Sequence, residues 1–284
     1  MPSPKKMQRV ILVPAPPKCA SRTFATLLSR HLDAPEKRHK SGLGFGHFLL
    51  NVPELGRRER WMQRIQPQRQ QERFLIYGHY PASQHNLNQL ERRYSPAAVV
   101  MPVRPLGSLL CSLIQHTRHH HYGPLDLRCP GLRDGIPDFD QRSESDLFHL
   151  LAIFYLPKIH LIIQNWLETT KKKNIPLFYV PFESITKSQT DLLIKLNKRL
   201  PKDFRSTKQL HQNAKPVKVN ISTMRKIMVS DIESSQREAV ETMASQLFGG
   251  NNKLRELLPY LLSDLRAPGE QPSTPIIWNF NKTK

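Results

Sequence analysis

The sequence predicts an α/β fold in which a mainly parallel central sheet is flanked by helices. Two observations carry this expectation. Four short apolar runs, at 10–13, 74–77, 97–103 and 175–181, have the length and the β-branched or aromatic content of strands buried on both faces. Segments with apolar residues at helical spacing separate most of these runs, and that alternation favours parallel strands joined by crossovers. The 284 residues can bury a sizeable core. One domain is expected over 1–266, with insertions around 33–73 and 123–142 and a proline-rich, loosely packed tail over 267–284.

The first strand, Val10 to Val13, ends where Pro14, Pro16 and Pro17 remove amide donors and fix φ. Lys18, Cys19, Ala20, Ser21, Arg22 and Thr23 follow. Phe24, Leu27, Leu28 and Leu32 then recur at helical spacing. A strand, a tight turn with a lysine and a helix can offer backbone N–H groups and the positive end of a helix dipole to an anion. Ser21 and Thr23 would add donors or an N-cap. An ordinary strand–helix connection with a capping serine accounts for the same residues. The turn is not a nucleoside-triphosphate loop, which needs G-x-x-x-x-G-K-[ST]. Its lysine comes first, and no glycine lies between Arg9 and Leu32. A magnesium-dependent kinase or ATPase is therefore disfavoured.

The stretch 33–46 is polar and glycine-containing, a loop by composition. Arg57 to Arg73 is rich in arginine and glutamine, and reads as a solvated helix–loop or as a basic rim for an acidic acceptor. The second strand, Phe74 to Tyr77, ends in Gly78-His79-Tyr80-Pro81. A histidine at the C-terminal end of such a strand stands where α/β sheets bind ligands, with a pKa suited to taking a proton from a hydroxyl. The third strand, Ala97 to Val103, ends in Arg104 and Pro105, and Gly107 to His116 opens a helix. Arg104 and Ser112 would form a phosphate-monoester site if both faced one crevice.

His116, His119, His120 and His121 are dense, but no supporting ligand pair stands elsewhere, so a solvated helix end or an acceptor-pocket lining is preferred to a metal site. A long core helix is expected over 143–173, kinked at Pro157, with acidic residues in its first turn and Lys171, Lys172 and Lys173 at its end. The fourth strand, 175–181, precedes Phe182-Glu183-Ser184-Ile185. Further helices are expected over 190–200, 230–248 and 252–265, with a polar basic loop at 209–220.

Forty-three Lys and Arg against 23 Asp and Glu give a net charge of +20 and a pI near 10.2, so the partners should be anionic. Cys19, Cys111 and Cys129 fall at no paired or ligand spacing, which implies neither a disulfide framework nor a zinc site. The N-terminus shows no apolar signal region, and no run is expected to approach the length of a membrane span. These features make a soluble, cytoplasmic protein the expectation.

Taken in order, the strand ends resemble the sulfotransferases that use 3′-phosphoadenosine-5′-phosphosulfate. Pro17 to Phe24 (PKCASRTF) is similar to that family's 5′-phosphosulfate loop. Val103-Arg104-Pro105 with Ser112 resembles its 3′-phosphate motif. Tyr77 to Pro81 resembles the G-H strand end that supplies a base, and Phe182 to Ile185 resembles a later strand end whose aromatic lies near the adenine. The match covers roughly the first two-thirds of the chain, and its style is nearer the carbohydrate-type or bacterial-type branch. Arg22 departs from the pattern by replacing a hydroxyl residue, and no R-K-G motif of the cytosolic steroid and phenol branch stands near the C-terminus; Lys215, Lys218 and Asn220 are weak substitutes.

The resemblance implies a P-loop-NTPase-like sulfotransferase fold and transfer of a sulfuryl group to a hydroxyl, less readily an amine, of an acceptor such as a saccharide or glycolipid. It implies His79 as base, with Lys18 supporting the leaving oxygen. Lys18, Cys19, Ala20, Ser21, Arg22, Thr23, Arg104, Ser112 and Phe182 would bind the donor, and no metal would be required. Two other classes stay open: a basic nucleic-acid-binding protein, although no helix-turn-helix, finger or RNA-binding signature accompanies the charge, and a nucleotide-binding protein of this fold that does not transfer.

Overall fold

In a computed structural model, residues 8–32, 36–38, 73–91, 94–119, 136, 138–206, 227–266 and 277–279 are described. At the centre lies strand β1 (Gln8–Pro14), whose Val10, Ile11, Leu12 and Val13 are wholly buried. It pairs in parallel with β3 (Arg73–Gly78) on one side and β4 (Tyr94–Val103) on the other. β2 (Glu36–Arg38) joins the outer edge of β3, and β5 (Leu177–Pro181) the outer edge of β4, both in parallel. The order is β2-β3-β1-β4-β5-β6. Apolar side chains on both faces of β1 are what a central parallel strand requires.

The helices form two layers. On one face α1 (Ser21–Leu32) lays Phe24, Ala25, Leu27, Leu28 and Leu32 on the sheet, beside α6 (Gln189–Arg199). The short α5 (Phe182–Lys187) adds Ile185 to this layer. On the other face lie α2 (Gln84–Glu91), α3 (Leu106–His119), α4 (Glu144–Lys172), α7 (Ser234–Gly249) and α8 (Asn252–Leu261). The chain thus leaves β1 on one face and β4 on the opposite face, towards opposite edges. Between those strands is a topological switch, and the crevice beyond their C-terminal ends is where such sheets bind ligands.

Sequence accounts for several local features. Register along β1 shifts between Val10, paired with Pro96, and Ile11, paired with Ala98. Pro96 has no amide to give the ladder, and a bulge is where a sheet tolerates that. Ser143 caps α4 by accepting the Asp146 amide, and the helix continues through Pro157 to Lys172.

Three expectations change. The 33–46 stretch, read as a loop, contributes β2 over 36–38. The stretch 267–284, read as a loose tail, contains buried Ile277 and an antiparallel sixth strand, β6 (Trp278–Asn279), paired with Phe178 and Tyr179. And α4, at 29 residues, is long and apolar enough to cross a membrane, contrary to the expectation that no run approaches that length. Half of its most apolar window is buried inside the fold, as in a core helix. The 57–72 basic stretch, residues 120–135 with His120, His121 and Cys129, and the 209–220 loop lie outside the described residues.

Phe24 sits at the start of α1, fully buried against the sheet. Replacing it by Ala should cost about 3–5 kcal/mol, read as a lower urea midpoint with unchanged slope.

Candidate functional site

Four strand tips converge beyond the sheet: those of β1, β3, β4 and β5. After β1 the chain makes a turn in which Lys18 (φ 62°) and Ala20 (φ 57°) both adopt the left-handed conformation. Neither is glycine, so each is held there against a steric cost of order 1–3 kcal/mol. Buried Cys19 lies between them; its thiol is within 3.6 Å of the Pro17 carbonyl oxygen and faces the core. Burial pushes that thiol up to about 12, against the pull of Arg104, so it stays protonated and is no nucleophile. Of the predicted donor-binding residues, Cys19 can therefore offer only its backbone amide.

The Ala20 carbonyl accepts the Phe24 amide at 2.9 Å, so Ala20 occupies the capping position and Ser21 is the first helical residue. By helix geometry the amides of Ser21, Arg22 and Thr23 lack intrahelical acceptors. Ser21 and Thr23 are half-buried at this end, whereas Arg22 is exposed.

What braces the turn is Arg104, from the tip of β4, which donates from Nη1 to the Lys18 carbonyl at 3.1 Å. Its guanidinium lies 4.3 Å from the centre of the Phe182 ring, at the tip of β5. One face of Phe182 is thus already covered, which leaves the ring only the opposite face for a planar ligand. Burial lowers the Arg104 pKa, with Asp264 and Glu183 among the groups opposing it, and a guanidinium so placed keeps its charge. Among the described residues its buried Nε has no hydrogen-bond partner, and an anion's oxygen could supply one.

The third tip carries His79. Its Nδ1 donates to the Ala15 carbonyl at 2.7 Å, and the Ala15 amide donates to the Gly78 carbonyl at 3.0 Å. That fixes the tautomer: the neutral ring carries its lone pair on Nε2. Burial brings the His79 pKa from 6.5 down to about 4; the Ala15 bond resists this, and the nearby Lys18 ammonium lowers it further. The turn beyond is pinned from α2 and α4. Trp166 Nε1 donates to the Tyr80 carbonyl at 2.9 Å, and the buried amide of Asn86 to the Pro81 carbonyl at 3.0 Å.

Residues without a recognisable signature complete the site. Tyr260, on α8, accepts the Phe182 amide at 3.1 Å and lies 2.7 Å from Glu183 Oε2 and 3.2 Å from the Val103 carbonyl. With one hydroxyl proton it donates to one of these at a time, and the shorter contact is the charge-assisted one. Burial, then the Glu183 carboxylate, raises the Tyr260 pKa, so the phenol stays protonated. Just past α8, Asp264 accepts the Gly107 amide at 3.0 Å and the Ser108 amide at 2.6 Å, capping α3. A Cβ on Gly107 would stand 2.9 Å from Asp264 Oδ1, so this approach needs glycine.

Lys18, His79, Arg104 and Phe182 are therefore brought to one edge of the sheet. Ser112 is half-buried on the helical row of Ser108, and no hydrogen bond joins it to Arg104 among the described residues. Among the same residues no three His, Cys, Asp or Glu side chains are grouped to hold a metal. No family model matches this chain, and no curated protein matches it in sequence.

A histidine held below its unfolded pKa resists protonation in the native state only. Stability should therefore fall as pH drops from 6.5 towards about 4, where the native ring also protonates. His79→Asn can keep a donor for the Ala15 carbonyl and cannot titrate. Urea melts across that interval should lose this component in the variant.

Proposed function

We propose that the chain transfers a sulfuryl group from 3′-phosphoadenosine-5′-phosphosulfate to a hydroxyl of a saccharide or glycolipid acceptor, in the cytoplasm and without a metal. The proposal takes the fold as P-loop-like and of the sulfotransferase type. The observation that carries it is the hydrogen bond between Arg104 Nη1 and the Lys18 carbonyl. It joins the two stretches with phosphate-binding resemblance at the switch between β1 and β4, with His79 on the next tip.

Each residue has a separable task. The amides of the strained turn and the start of α1 would hold the phosphosulfate, and Lys18 would offset charge developing on the oxygen that leaves with the 5′-phosphate. The vacant Nε edge of Arg104 would take the 3′-phosphate. His79, neutral and oriented by Ala15, would accept the acceptor hydroxyl proton on Nε2 as the oxygen–sulfur bond forms and the bond from sulfur to the 5′-phosphate oxygen breaks. A negatively charged donor beside Lys18 would draw the His79 pKa upwards from about 4, towards that of a working base. The net charge of +20 favours an acidic acceptor.

Calorimetric titration with adenosine 3′,5′-bisphosphate, beside ATP and AMP, tests the proposal, followed by an acceptor screen with sulfur-labelled donor. Preference for the bisphosphate and label transfer are expected. Equal affinities for all three nucleotides, or salt-sensitive binding of DNA or RNA in their place, would sink the reading.

His79→Ala should bind the bisphosphate as the native chain does while transfer falls by about 10²–10⁴-fold; unchanged transfer removes His79 from the mechanism. Arg104→Lys keeps a cation among Glu183 and Asp264 but loses the fork. It should weaken bisphosphate binding roughly ten- to a hundred-fold, as for loss of a charged hydrogen bond, and narrow the preference for the bisphosphate over AMP, whose own binding falls less as the Lys18 turn loses its brace.

A further inference from the structure

The ladder between β4 and β5 is interrupted at its last rung. Val99 pairs with Leu177 and Val103 with Pro181, and the Val99 amide donates to the Pro176 carbonyl at 2.8 Å. In a parallel ladder of this register the Val103 carbonyl would next take the Phe182 amide. The Tyr260 hydroxyl stands between them instead, 3.1 Å from the Phe182 nitrogen and 3.2 Å from the Val103 oxygen. Its side chain is only 3% exposed and lies against Trp278 of β6, with ring centres 5.1 Å apart. The place of the hydroxyl is therefore set from α8 and β6, outside both of the strands it separates.

That hydroxyl also governs a carboxylate. Its proton goes to Glu183 Oε2, at 2.7 Å the shortest of its three contacts. Among the described residues this is the one hydrogen bond of the Glu183 carboxylate. Glu183 lies near enough to Arg104 to oppose the effect of burial on its charge, yet the buried Nε of Arg104 has no hydrogen-bond partner among the same residues. We infer that Tyr260 is a positioning residue of the nucleotide site: by holding Glu183 it keeps the Nε edge of Arg104 available to a phosphate. The inference rests on the sulfotransfer reading, in which that edge takes the 3′-phosphate. Without the hydroxyl, Glu183 would turn to Arg104 and occupy the edge as a charge-assisted pair. Val103 and Phe182 would then close their rung directly, so both backbone groups keep a partner.

Calorimetric titration of Tyr260→Phe with adenosine 3′,5′-bisphosphate and with AMP tests this, well below the melting temperature of the variant. Bisphosphate affinity should fall roughly tenfold or more, as for a charged hydrogen bond lost to an internal rival, and AMP affinity less. Adding Glu183→Gln to the same chain should restore most of the loss, because a neutral amide cannot neutralise Arg104. Damage to packing alone would not be mended by a second buried change. A native preference for the bisphosphate that survives Tyr260→Phe overturns the inference alone, as does a loss that Glu183→Gln leaves unmended. A native chain without that preference overturns it together with the sulfotransfer reading. Glu183→Gln by itself covers a Tyr260 variant that fails to fold. Its bisphosphate affinity should match or exceed the native value; a loss of about tenfold would make Glu183 a support of the ligand and the inference wrong.

Discussion

Everything at the edge of the sheet depends on one guanidinium. Arg104 supports the carbonyl of a residue in an unfavourable backbone region, stacks on the aromatic at the next strand tip, and stands among two carboxylates. A buried charge is tolerated only when such partners surround it. Here those partners come from β1, β5 and the end of α8, so the cation that stabilises the turn also fixes where three other segments stop. The two left-handed residues beside it are a cost that the surrounding contacts offset.

The second constraint is the unmatched backbone at strand ends. Tyr260 satisfies the Phe182 amide and reaches the Val103 carbonyl, so one phenol links the last residue of β4 to the first residue beyond β5. Asp264 does the same for the start of α3. Trp166 and Asn86 hold the carbonyls that follow His79. The side chains of the candidate site thus rest on a ring of ordinary hydrogen bonds, most of them donated or accepted by residues far away in sequence. That gives orientation without a rigid loop.

Local patterning made much of this legible. The apolar runs of β1, β3, β4 and β5, the spacing in α1 and the caps of α4 are short-range signals, and each led to the element found. Lys18, His79 and Arg104 stood at strand ends, so their meeting followed from parallel strands once the order was known. Tyr260 and Asp264 were invisible because their partners lie 77 to 157 residues away and no local period marks them. β2 and β6 were missed because two or three polar or mixed residues carry no period at all; pairing with a neighbour makes them strands.

The cap that Asp264 places on Gly107 closes a separation of 157 residues. On a ribosome, α3 would emerge long before the carboxylate meant for its leading amides. Until then the leading amides of that helix, which begins two residues past Arg104, have only solvent as acceptor. That edge of the sheet is therefore among the last parts of the molecule to mature, and a chain truncated ahead of α8 would keep its central strands while lacking the fastenings of their tips.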